Sequence, residues 1–158
     1  MNEKQVLILG VGNILLSDEG VGVHVVQRLK QMDLPPCIEV VDGGTGGFEL
    51  IDHVRGKTKV IIVDCMMLDA DPGAVFRLTP DELFLRSDSP FSAHQGGIRE
   101  LLYHITTLPQ PPEVVVYGIV PLDRERPSMR LSEPVACRVS DIINAVLAEV
   151  EKEEVKPA

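Results

Sequence analysis

The chain has no tryptophan, and its only aromatic residues besides histidine are four phenylalanines and two tyrosines. Any core must therefore be dominated by Val, Ile and Leu. Cysteine is scarce as well. Cys37, Cys65 and Cys137 are odd in number and far apart, with no Cys-x-x-Cys. That pattern excludes a disulfide framework and a thiolate zinc site, and fits free thiols in a reducing compartment. Positive charge is in deficit: 15 Lys and Arg face 24 Asp and Glu, for a formal net charge of -9 and a pI near 4.8. Such a surface argues against nucleic acid and against anionic membrane as partners. No apolar run approaches the ~20 residues needed to span a bilayer. The opening Met1-Asn2-Glu3-Lys4 leads straight into an apolar strand, without the pattern of a signal peptide. The expected location is the cytoplasm. Repeats, low-complexity segments and linkers are also missing. The expectation is one domain over 1–158, with 151–158 a frayed tail.

What is present is a regular alternation. Gln5 to Leu9 reads as a buried strand ending in the turn Gly10-Val11-Gly12-Asn13. Ser17 is placed to cap a helix, with Asp18 and Glu19 in its first turn and Val21, Val25, Leu29 and Met32 at helical spacing. Ile38 to Val41 is a second strand, closed by Asp42-Gly43-Gly44, and Phe48 to Val54 a short helix. Lys59 to Val63 is a third strand, ending at Asp64. Ala74 to Leu78 reads as an edge strand, possible in antiparallel orientation. A polar loop at Ser87 to Ala93 precedes a helix over Gln95 to Thr106, and Glu113 to Tyr117 opens a fifth strand. A last helix is expected from a Ser132 cap to about Glu151. This order predicts an α/β three-layer sandwich: a twisted, mostly parallel five-stranded sheet with helices on both faces. Right-handed crossovers favour strand 2 outside strand 1 and strand 3 on its other side. The reversal of direction between strands 1 and 3 is then the switch point where such sheets bind ligands.

The chemistry-bearing residues fall after the strands. Strand 1 leads to Asp18 and Glu19, strand 2 to Asp42, strand 3 to Asp64, and His94 stands before the third long helix. Two carboxylates and an imidazole converging on one sheet edge make a three-ligand set with open positions, the pattern of a catalytic metal site. Oxygen and nitrogen ligands without thiolate admit Zn, Ni, Mn or Fe. Taken singly, each residue has a plainer reading: Asp18 and Glu19 complement a helix dipole, Asp42 turns the chain, and His94 starts a helix. Gly10-x-Gly12 begins like a dinucleotide fingerprint, but Leu15 occupies the third glycine position. Cys65 with His94 is a rival nucleophile pair, although a thiol just beyond a core strand is more often a small buried residue. His53 and His104 read as surface positions. His24, one turn beyond Glu19, is left unassigned.

Five blocks in order carry a resemblance. They are Leu9-Gly10-Val11-Gly12-Asn13-Ile14-Leu15-Leu16-Ser17-Asp18-Glu19-Gly20-Val21-Gly22-Val23, Asp42-Gly43-Gly44-Thr45, Ile62-Val63-Asp64, Ser92-Ala93-His94-Gln95 and Gly118-Ile119-Val120-Pro121. Over Val6 to about Leu147 the chain resembles the hydrogenase maturation endopeptidase family. By position, the resemblance implies metal contacts at Glu19, Asp64 and His94 and a further role for Asp42. It implies a metal-dependent endopeptidase, of aspartyl or metallo type, acting as a monomer. The implied partner is a nickel–iron hydrogenase large-subunit precursor, whose C-terminal extension is removed after nickel insertion. The implied metal is the substrate's own nickel, with another divalent ion such as zinc as the alternative. A nickel-checking chaperone without protease activity and a nucleotide-binding enzyme are the rival classes.

Overall fold

Five strands form one sheet in the computed structural model, which describes residues 3–85 and 96–152. They are β1 (Val6–Val11), β2 (Ile38–Gly44), β3 (Lys59–Cys65), β4 (Val75–Leu78) and β5 (Glu113–Ile119). Their order is β2-β1-β3-β5-β4. Strands β2, β1, β3 and β5 run parallel, and β4 closes one edge antiparallel to β5. The switch point lies between β1 and β3, as the sequence predicts.

Alternation along the strands divides the core in two. Val6 and Ile8 of β1 and Ile61 and Val63 of β3 face α1 (Val21–Leu29) and α6 (Val139–Glu151), where Val25, Leu29, Ile142 and Val146 meet them. Leu7 and Leu9 of β1 and Val60 and Ile62 of β3 face the opposite layer. There Val54 of α2 (Ile51–Val54), Leu83 of α3 (Pro80–Phe84) and Leu101, Leu102 and Ile105 of α4 (Gly96–Thr106) cover them. Every residue of β1 and β3 is buried, as expected for strands covered on both faces. This is the three-layer sandwich expected from the alternating elements.

Two helix starts differ from expectation. Ser17 does not cap α1. Its φ of 50° is left-handed, its N–H donates to the Ser128 carbonyl at 2.8 Å, and its hydroxyl donates to the Arg130 carbonyl at 3.2 Å. A 3-10 turn over Ser17–Gly20 precedes α1. The last helix is broken into α5 (Glu133–Ala136) and α6. The Arg138 N–H tightens the ladder by reaching Val135 O, three residues back, at 3.0 Å. The Arg138 guanidinium then holds the Gly73 carbonyl at 3.2 Å, which fixes the bend against the β4 side.

Glu149 ties α6 to the sheet. It is fully buried, and its carboxylate accepts from Lys59 Nζ at 2.9 Å, Arg77 Nε at 2.5 Å and the Tyr117 hydroxyl at 2.8 Å. Burial alone would raise its pKa, but the bonds from Arg77, Lys59 and Tyr117 outweigh burial and hold it at about 2.

Candidate active site

The loop that follows β1 sets the geometry. Gly12 has φ +134°, and a Cβ there would stand 2.0 Å from the Glu19 carbonyl oxygen. A Cβ on Gly22 would stand 2.2 Å from the Val63 carbonyl oxygen and 2.6 Å from that of Val11. Only glycine permits either approach. The glycines thus serve backbone packing. They let the 3-10 turn and the start of α1 sit directly on the carboxyl ends of β1 and β3.

Glu19 and Asp64 come together there. Glu19 is 4% exposed and Asp64 is fully buried. The Asp64 Oδ1 accepts the Cys65 N–H at 2.8 Å. Burial pushes the Asp64 carboxyl well above the usual carboxylate range, the Glu19 charge pushes it the same way, and the Cys65 N–H opposes both. Burial likewise pushes the Cys65 thiol up, with Asp64 and Glu19 adding to it, while Arg124 pulls the other way. A thiol so disfavoured as thiolate is a poor nucleophile.

Asp42 lies on the same edge, across β1. Gly10 of β1 is in register with Asp42 on one side and Val63 on the other. The Asp42 side chain is exposed, and its Oδ1 accepts the Gly44 N–H at 3.0 Å, closing a turn. His94 and its Ser92-Ala93-His94-Gln95 block lie outside the described residues, as do most of the loop before α4 and residues 153–158 of the tail. Among the described residues, no three His, Cys, Asp or Glu side chains gather so as to hold a metal ion. A cavity of about 690 Å³ lies at the opposite edge, lined by Gln5, Lys57, Thr58 and Leu108, and takes no part in this site.

One residue beside the site had no role in the sequence reading beyond the helix dipole. Asp18 is fully buried, and its Oδ2 accepts the N–H groups of Leu122 and Asp123 at 2.9 and 3.0 Å and the Ser132 hydroxyl at 2.6 Å. Its Oδ1 accepts the Ser132 N–H at 2.8 Å. Asp18 therefore pins the chain segment after β5 against the turn that carries Glu19. The sequence signal was present in Asp18 itself, since a buried carboxylate must find donors, but those donors lie 104 to 114 residues away. His24 is on the same helix start. Its Nε2 is buried without a hydrogen-bond partner among the described residues, and burial lowers its pKa against an opposing bond to the Met129 backbone. His53 is exposed, as its neighbours suggested, whereas His104 is half-buried against the rings of Phe48 and Tyr103.

Comparison with known proteins agrees with this architecture. A family model described as hydrogenase maturation protease matches residues 23–149. A putative hydrogenase maturation protease of Methanocaldococcus jannaschii is 34% identical over 96% of this chain and 100% of its own length. The hydrogenase 2 maturation protease of Escherichia coli K12 is 33% identical over 91% of this chain and 89% of its own. Among solved structures, the hydrogenase maturating endopeptidase HybD from E. coli superposes with a TM-score of 0.78 at 30% identity, covering 92% of this chain and 91% of that one. The [NiFe] hydrogenase maturation protease HybD from Thermococcus kodakarensis gives 0.78 at 27% identity, covering 93% and 99%. With its sheet order, its paired carboxylates at the switch point and these relatives, the chain belongs to the hydrogenase maturation proteases and is an endopeptidase.

Proposed function

We propose that the chain removes the C-terminal extension of a nickel–iron hydrogenase large-subunit precursor once nickel has been inserted, by metal-assisted hydrolysis at the carboxyl edge of the sheet. The observation that carries this reading is the placement of Glu19 beside Asp64 at the switch point. Two buried carboxyl groups side by side favour a shared cation, which offsets the mutual opposition of their charged forms. Their oxygens suit a divalent ion, and His94 is the third ligand in this proposal. When bound, the ion polarises the scissile carbonyl.

The rest falls to the chain's own groups. Glu19 and Asp64 hold the positive charge against the β1 and β3 ends and exclude bulk water there. Asp18 keeps Glu19 in place through the backbone. Asp42, exposed at the end of β2, is the nearby base or orienting group. Cys65 does no chemistry. The ion is the precursor's nickel in this proposal, so that recognition and hydrolysis share it.

The test is to prepare one precursor with and without nickel, add the full chain, and follow release of the C-terminal peptide by mass spectrometry. Release from the nickel-loaded form alone is expected. Equal release from both forms would overturn the nickel requirement and leave a protease carrying its own ion, such as zinc. Release from neither would overturn the proposed cleavage.

A further inference from the structure

The three inner parallel strands hand over, at their carboxyl ends, to segments bearing a large exposed apolar side chain: Leu15 after β1, Met67 after β3 and Leu122 after β5. Met129, farther along the segment after β5, is a fourth, whereas Phe48, after β2, packs its ring on His104 of α4 with 4.7 Å between centroids. The four side chains are 48 to 61% exposed. Scattered apolar residues are ordinary on a surface, but a set gathered at one edge is a patch. Hydrogen bonds draw the segments together: the Ser128 N–H donates to Leu15 O at 2.9 Å, and the Leu122 N–H donates to the Asp18 carboxylate at 2.9 Å. These bonds place the Leu15 turn and the segment after β5 side by side at the edge that holds Glu19 and Asp64.

The segment after β5 carries Arg124, Arg126 and Arg130 beside Asp123 and Glu125, a small local excess of positive charge on a chain of net charge -9. Among the described residues, none of the three has a carboxylate within 4.0 Å. A second copy of this acidic chain is a poor occupant, because like net charges repel. An endopeptidase must instead lay a polypeptide across this edge.

We propose that Leu15, Met67, Leu122 and Met129 form the docking rim for an extended precursor segment spanning the scissile bond, a segment with apolar side chains and a carboxylate that meets the arginines. The inference rests on the proposed function and adds the chemistry of the recognised segment. Few rim residues are needed to carry the affinity, since interface energy concentrates in a few large side chains. The arginines act mainly on the rate of encounter.

The probe is the nickel-loaded large-subunit precursor itself, with both binding and peptide release measured. Leu122→Ser with Met129→Ser, and separately Leu15→Ser with Met67→Ser, should each raise KM and Kd at least tenfold, with kcat within about twofold and Tm unchanged. Met32→Ser is the control: it is 44% exposed but lies beyond the far end of α1, at the other sheet edge, and should change KM and Kd less than twofold. Rim variants that behave like the Met32 control would overturn the rim. Arg126→Gln with Arg130→Gln should flatten the salt dependence of association, and an unchanged salt slope would overturn the carboxylate assignment. Wild-type protein that binds the precursor through the rim but releases no peptide would sink the proposed cleavage and keep the docking surface. Wild-type protein that neither binds nor cleaves would overturn both.

Discussion

The Ser132 hydroxyl donates to Asp18 Oδ2 at 2.6 Å, and the Ser132 N–H donates to Asp18 Oδ1 at 2.8 Å. One serine thus engages both oxygens of one buried carboxylate, from opposite ends of the sequence. Ser132 does precede the helix it was expected to cap, but its hydroxyl is spent on Asp18 and makes no cap bond. Replacing Asp18 by Asn puts an amide donor against groups that are all donors. Asp18→Asn should lose about 2–3 kcal/mol, measured as a lower urea midpoint at unchanged m-value. Ser132→Ala should lose about 1 kcal/mol. A variant as stable as the parent would show that water replaces these bonds at no cost.

Asp64→Asn separates stability from activity. Burial and Glu19 both disfavour the charged form of Asp64, and an amide carries no charge, so without metal the variant should melt at the same temperature or higher. Peptide release should nevertheless be abolished. Glu19→Gln and His94→Ala should also abolish release, and calorimetry with nickel or zinc should show weakened binding in all three. Unchanged metal affinity throughout would remove the shared site.

The pH dependence of stability should be governed in part by Glu149. Its folded pKa of about 2 lies below the ordinary value of 4.5, so the unfolded state binds the proton more readily. The stability it contributes is complete above pH 4.5 and is lost as pH falls toward 2. Glu149→Gln takes from Lys59, itself 3% exposed, its nearer charge partner and leaves it only Glu113 at 3.6 Å. It should cost roughly 3–5 kcal/mol at pH 7. The gap in Tm between parent and variant should narrow between pH 5 and pH 2.5, and a constant gap would contradict the account.

Cys65 should be dispensable. With burial and two carboxylates holding its thiol protonated, iodoacetamide at neutral pH should label Cys137, which is exposed, well before Cys65. Cys65→Ala should retain peptide release. Loss of release in a folded Cys65→Ala protein would revive the nucleophile reading.

Much of this fold was legible because its signals are local. The short apolar runs at Lys59 and Glu113 had to be buried strands, and right-handed crossovers then placed β3 beside β1. β1 and β2 run farther than expected, because Gly10 and Val11 pair with Asp42 and Gly44 although glycine and Asp-Gly-Gly read as turns. The break at Arg138 leaves no local mark in the sequence, and the Gly73 carbonyl that its side chain meets there is far away along the chain. The site divides in the same way. Glu19 and Asp64 follow from strand ends and topology. The task of Asp18 depends on a loop beyond β5, and His94 lies outside the described residues.

The bonds between Asp18 and the segment from Leu122 to Ser132 also bear on synthesis. Sequence separations of 104 to 114 residues mean that Glu19 leaves the ribosome long before the donors that fix its turn. Until β5 has joined β3 and the following segment has folded back, the two acidic residues have no rigid frame. A nascent or truncated chain therefore carries Glu19 and Asp64 before the contacts that hold the Glu19 turn in place have formed.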